Sequence, residues 1–213
     1  LYEKQSVIPG QNTAQGLNRT AHNYISNRGG CPQTVVDIVD HGIVADYYER
    51  ANLADYWIYK AEISNYDLNN IRSLDEIEDA QRRKVTDISL PGTSGAVLHI
   101  HAVDEEARIN MPELLDGSRL DGSEINALML DSRFAQAHEL SVGDIITAGE
   151  KENQTQWLIK GIVRNVEYVY YAPEGLTIPD YHKYGFAYTN ASSLPDVAFN
   201  EIILTVHERS KLP

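Results

Sequence analysis

The sequence has one cysteine, Cys31, among 213 residues. No intrachain disulfide can form, and a cysteine-based zinc site is excluded. Cys31 lies between Gly29-Gly30 and Pro32, so it reads as an incidental thiol near a loop. A nucleophilic thiol would need an activating base. Long apolar runs are missing too: the longest, Tyr168 to Ala172, falls far short of the ~20 residues that span a bilayer. Basic residues are scarce, with 18 Lys and Arg against 31 Asp and Glu and a formal net charge of −13. A surface this acidic repels phosphate backbones and anionic headgroups, which speaks against nucleic acid as a partner. No Gly-x-x-x-x-Gly-Lys cradle for nucleotide phosphates is present, and no cofactor is implied. "PGTSGAV" only approaches a Gly-x-Ser-x-Gly elbow, and Ser94 within it reads as part of a glycine turn. The chain starts at Leu1 and stops at Pro213 soon after an apolar strand, which reads as a segment excised from something longer.

What is present is enough for a folded core. Apolar residues make up 42% of the chain and charged residues 23%, near the globular average. Residues 1–34, rich in Asn, Gln, Gly and Thr, read as an irregular N-terminal arm. From Val35 to Asn52 the apolar positions Val35, Val36, Val39, Ile43, Tyr47 and Tyr48 recur at helical spacing. "ADYWIYKAEI" alternates as a strand, and Ser64 to Asp67 forms a capping box opening a short helix through Leu68, Ile71 and Leu74. "DAQRRKVTDISL" and "GAVLHIHAVD" read as strands about a Pro91-Gly92 turn. "EINALML" reads as a buried strand, "DSRFAQAHEL" as a short helix capped by Asp131, and "SVGDIITAG", "TQWLIKGIVRNVEYVYY", "GFAYTN" and "NEIILTVHE" as further strands.

Three constellations could carry chemistry. His99 and His101 lie two apart in a strand, so their imidazoles share a face. They could be two metal ligands completed by Asp104, Glu106 or His182, or simply occupy the exposed face opposite Leu98, Ile100 and Ala102. Asp104-Glu105-Glu106 lacks the spaced oxygens of a calcium loop and reads as a solvated turn. The third is aromatic: Tyr168, Tyr170, Tyr171, Tyr181, Tyr184 and Tyr188 crowd the region after "IKGIVRNVE". With Tyr168 and Tyr170 on one strand face and Tyr171 on the other, they form either a packed wall or a candidate interaction surface of Tyr168, Tyr170, Tyr171, Tyr181 and Tyr184.

The order of the pieces resembles the extracytoplasmic domain of FtsX/MacB-like ABC transporter permeases, which in that family sits between the first and second transmembrane helices. The resemblance covers roughly residues 45–207. It rests on Ile109-Asn110 with Leu115 and Gly117; on Glu124-Ile125 with Phe134-Ala135 and Val142-Gly143-Asp144; and on Gly161-Ile162-Val163 with Glu167-Tyr168-Val169-Tyr170. The family's "spE" stretch is "NVE" here, which keeps Glu167 and loses the Ser-Pro bend. The resemblance implies an α+β fold in two lobes, a porter-like βαβ-type lobe over 35–120 plus 196–213 and a smaller β-rich lobe over 121–195. It implies a non-catalytic domain on the outer side of the cell membrane, in a membrane-embedded parent protein driven by a separate cytoplasmic ATP-binding subunit. A lipid, lipoprotein, peptide or accessory protein would be its partner outside. The alternative is a stand-alone secreted module that binds a ligand or protein through the tyrosine-rich face.

Overall fold

Ser64 opens the first helix as its sequence predicts: its hydroxyl accepts from the Asp67 amide while the Asp67 carboxylate accepts from the Ser64 amide. The computed structural model describes residues 51–93, 95–150, 154–168 and 179–207. The expected arm over 1–34, Cys31, all but the end of the helix expected over 35–52, Ser94, Tyr170 and Tyr171 lie outside the described residues. The elements are β1 (Tyr56–Tyr59), α1 (Asn65–Arg72), β2 (Ile77–Leu90), β3 (Ala96–Val103), β4 (Glu113–Gly117), β5 (Ala127–Asp131), α2 (Ser132–Ala137), β6 (Ile145–Ala148), β7 (Thr155–Arg164), β8 (Tyr184–Asn190) and β9 (Glu201–Val206). No helix among the described residues is long and apolar enough to cross a membrane.

The strands join into one mixed sheet in the order β1-β9-β2-β3-β8-β5-β7-β4, with β6 also pairing β7. β1 and β2 each run antiparallel to β9. They are therefore parallel to one another, with β9 between them and α1 as the crossover, a split βαβ unit. α1 covers this unit by placing Leu68 and Ile71 on Ala80, Ile202 and Leu204. The strands expected in the porter-like lobe, β1, β9, β2 and β3, are neighbours in the sheet, and β8, β5, β7 and β6 of the expected smaller lobe follow. β4 lies beyond β7, at the far edge from the other strands of its own expected lobe. The parallel β3–β8 pair links the two groups. The largest core cluster spans that link, combining Leu98 and Ile100 of β3 with Leu128, Phe134, Trp157 and Ile159.

A bulge in β7 decides which face its later residues meet. Ile159 pairs with Leu128, yet Gly161 pairs with Met129, so Lys160 is an extra residue. Ile159 therefore joins the main core, while Val163 lies on the opposite face with Met129, Phe186 and Tyr188. The sequence reading carries this strand on through Tyr171; it ends at Arg164, and Val166–Tyr168 forms a 3-10 turn. The partner strands supply the reason. The last register positions are Asp131 opposite Val163 and Glu113 opposite Arg164. The Asn165 side chain then takes the Glu167 amide at 2.8 Å, a local bond that competes with an extended ladder.

Candidate functional site

The face of the sheet away from α1 carries a polar and aromatic layer. Strand alternation puts Trp57 and Tyr59 of β1, Gln81 and Arg83 of β2, His99 and His101 of β3, Phe186 and Tyr188 of β8 and Glu201 of β9 on this one face, with Tyr59 and Arg83 flanking Glu201, and Phe186 and Tyr188 opposite His99 and His101. Two irregular segments cover it. One carries Ile109 and Asn110; Gln81 holds it by accepting from the Arg108 and Ile109 amides at 2.7 and 2.9 Å. The other is the turn from Asn165 to Tyr168.

Glu167 and Arg83 join these pieces. The guanidinium grips the carboxylate with both ends, Nη1 to Oε2 at 2.9 Å and Nη2 to Oε1 at 2.5 Å. Glu167 also accepts from Trp57 Nε1 at 3.0 Å and Asn110 Nδ2 at 2.9 Å. The remaining Arg83 Nε donates to Glu201. The side chains of Arg83, Glu167 and Glu201 are 1%, 11% and 5% exposed, so this is a buried Glu–Arg–Glu triad with one net negative charge. Burial opposes the Arg83 charge, but Glu167 and Glu201 outweigh it and hold the guanidinium firmly protonated. Burial also pushes the Glu167 carboxyl up; the charge and hydrogen bonds of Arg83, with those of Trp57 and Asn110, more than offset this and hold it below the usual carboxylate range. Glu201 goes the other way: burial raises it, and with the Glu167 charge this exceeds what the charge and hydrogen bond of Arg83 and the Tyr59 hydrogen bond take back. The Tyr59 hydroxyl lies against Glu201, and burial of that end, with the neighbouring carboxylate, pushes it up to about 12.

Asn110 and Asn165 complete the joint. Asn110, at φ 56, accepts from the Ala54 amide through Oδ1 at 2.7 Å. Asn165 Nδ2 donates to the Asn110 carbonyl and to the Tyr188 hydroxyl, both at 2.6 Å. Asparagine is among the few residues that tolerate the left-handed backbone, which suits it to this corner.

Next to the triad lies an imidazole–tyrosine cluster. His101 is 1% exposed, so the expectation of an exposed histidine face is corrected: the turn after β7 folds Tyr168 over it. His101 Nε2 shares a hydrogen bond with the Tyr168 hydroxyl at 2.5 Å, and its ring stacks on Tyr188 at 5.2 Å. Burial, then the charges of Arg83 and His99, hold this imidazole well below its usual range, so it is neutral at pH 7. Burial, then Glu167, push the Tyr168 phenol well up. His99 meets His101 edge-on at 4.9 Å and binds Asp87 through Nδ1 at 2.6 Å. His182 is elsewhere, its carbonyl bound to His138 after α2. Asp104, Glu105 and Glu106 lie exposed in a turn. Among the described residues no three His, Cys, Asp or Glu side chains converge as metal ligands.

The tyrosines singled out from sequence separate. Tyr168 packs inward, stacked on Phe186 at 4.8 Å. Tyr184 starts β8 opposite Val97 and is half-buried. Tyr181 belongs with α2, where its hydroxyl accepts from Arg133 Nη1 at 2.6 Å. Tyr170 and Tyr171 lie outside the described residues. Sequence reasoning singled out Glu167 but missed its partners. By pattern alone Arg83 and Glu201 are ordinary strand residues, and Trp57 is one alternating position. The one available signal is an Arg placed centrally in β2 and a Glu opening the otherwise apolar β9.

No family model matches the chain, and no curated protein matches it. Similar solved structures exist. The extracellular domain of the noncanonic ABC-type transporter YknZ from Gram-positive bacteria is 13% identical, covering 72% of this chain and 83% of that one at a TM-score of 0.47. The periplasmic region of MacB from Actinobacillus actinomycetemcomitans is 12% identical, covering 71% of this chain and 67% of that one at a TM-score of 0.43.

Proposed function

We propose that this chain is a non-catalytic extracytoplasmic domain of an FtsX/MacB-like ABC transporter permease, passing membrane-helix motion to substrate or partner handling outside. One observation carries the reading. The three sequence signatures that suggest the family interlock on one another. Asn110 of the first bonds Glu167 of the third at 2.9 Å. The Val142-Gly143-Asp144 turn of the second is tied to β7 of the third through Gly143 N to Ile159 O at 2.8 Å and Ile159 N to Asp144 O at 2.9 Å. Gly117 of the first lies so close to β7 that a Cβ there would meet the Lys160 carbonyl at 2.3 Å. Residues matched for their order along the chain are thus the ones that hold the fold's irregular parts together. The Glu167 side chain is itself engaged in structure, held by donors from Arg83, Trp57 and Asn110.

On this reading the strands on either side of the β3–β8 pair act as the two lobes, and the Arg83–Glu167 clamp locks the cover of one to the sheet of the other. The parent protein would be membrane-embedded and work with a cytoplasmic ATP-binding subunit. Reading the full-length gene tests this. It is expected to encode an apolar segment of about 20 residues on each side of this domain. A full-length product without such segments overturns the proposal and leaves a secreted binding module.

A further inference from the structure

A second surface, away from the tyrosines, has the character of an interface. Ile125, Val142, Ile145 and Leu158 are 64%, 37%, 61% and 39% exposed. They are neighbours. Ile145 faces Leu158 across the β6–β7 ladder. The Leu158 amide bonds the carbonyl of Asn126, next to Ile125, at 2.9 Å. Val142 lies in the turn bonded to Ile159, its Cγ2 only 2.8 Å from where a Gly117 Cβ would stand. Single exposed apolar residues are ordinary, but several large ones together mark interaction sites. Selection for the fold alone would favour polar residues at Ile145 and Leu158, which face away from the Trp157 and Ile159 core.

The rim is acidic. Asp121 and Asp144 are exposed beside the patch. Among the described residues the lysine within it is Lys160, held by Glu124 at 2.6 Å, so its charge is already matched. Asp121 and Glu124 are both held below the usual carboxylate range, chiefly by hydrogen bonds from Ser123 and Lys160 respectively, and stay ionised near neutral pH. That charge sorts the candidate occupants. A second copy would bring the same acidic rim on a chain of net charge −13, and an anionic bilayer would be repelled as well. We infer that the patch around Ile145 and Leu158 is a docking surface for a partner protein presenting apolar side chains flanked by Lys or Arg. The inference stands independently of the permease reading.

The test uses the 213-residue chain and a defined probe, a soluble peptide of alternating leucine and lysine blocks, titrated at 150 mM salt by two-dimensional NMR. The expected result is amide shifts confined to residues near 125, 142–145 and 158, with affinity falling at least tenfold in I145S/L158S. That double variant changes no charge and removes no core residue. Y66S, which removes the exposed tyrosine of α1, is expected to bind as wild type. A peptide with glutamate in place of lysine is expected not to bind. Shifts spread over the whole acidic surface, or equal binding by I145S/L158S, overturn the proposal. So do binding to phosphatidylglycerol vesicles, or a concentration-dependent dimer abolished by I145S/L158S, which would assign the patch to lipid or to self-association.

Discussion

Arg83, Glu167 and Glu201 bury one positive and two negative charges, so the three are not equivalent and their removal should rank in a fixed order. Arg83→Met leaves two carboxylates buried without a counter-charge, and breaking a buried pair in this way costs about 3–5 kcal/mol. Glu167→Gln keeps an oxygen for Trp57 Nε1 and Arg83 Nη2 but turns an NH2 toward Arg83 Nη1 and Asn110 Nδ2. Two charge-assisted bonds become donor–donor contacts, a loss of at least about 3 kcal/mol. Glu201→Gln leaves a one-to-one Arg83–Glu167 pair, retains an acceptor for Arg83 Nε, and removes the surplus charge, so its cost should stay within ~1 kcal/mol. Urea unfolding at pH 7 measures the series. For a chain of this size about 3 kcal/mol corresponds to a fall in Tm of roughly 6–12 °C. If Glu201→Gln costs as much as Glu167→Gln, the charge asymmetry assigned to the triad is wrong.

The pH dependence gives the same order a second reading. Glu201 is raised from its ordinary 4.5 when folded. As the pH falls from 7 toward 4.5, the folded chain takes up this proton before the unfolded chain does, so the group's unfavourable burial is relieved and stability rises. Glu167 is lowered from 4.5, so its contribution is complete above 4.5 and is lost as the pH falls below that through its folded value. The stability gap between Glu201→Gln and wild type should therefore shift in favour of wild type between pH 7 and 4.5. The deficit of Glu167→Gln should shrink only below 4.5. Parallel curves across both windows would refute these assignments.

Tyr168→Phe should cost about 1 kcal/mol by leaving the buried His101 Nε2 without its 2.5 Å partner, while Tyr168→Ala should cost about 3–5 kcal/mol by emptying the wall against Phe186. Equal, negligible losses in thermal unfolding would instead favour tyrosine as a docking group. Gly185→Ala places a Cβ 2.5 Å from the Phe134 ring and Cβ. It should destabilise by about 1–3 kcal/mol, with partial rescue by Phe134→Leu in the double variant.

The regular parts of this molecule were legible because their signals are local. The Ser64–Asp67 box and the Asp131 cap are each completed within three residues of chain, so reading the sequence finds them. The long strands β2, β3 and β9 announce themselves through branched residues. β4 leaves no such signal: "ELLDG" is a bulged edge strand with no residue fully buried, so neither face imposes an apolar alternation. Of the Glu–Arg–Glu triad only Glu167 is legible, kept in the "NVE" stretch of the resemblance; Arg83 lies 84 residues away and Trp57 110 away.

Contacts of that span leave no periodic trace, because each partner satisfies its own strand's pattern: Arg83 differs only in carrying a charge where a neutral residue would do, and Trp57 does not differ at all. The same blindness explains the histidines. Alternation correctly put His99 and His101 on one face, but whether that face meets water depends on where the chain goes after Arg164. A ladder bond kept for one more residue would have carried Tyr168 away from His101. The Asn165 side chain instead captures the Glu167 amide, the strand stops, and the turn drops Glu167 onto Arg83 and Tyr168 onto His101. A single asparagine thus converts a strand end that looks like an exposed aromatic platform into the clasp that closes the sheet's second face.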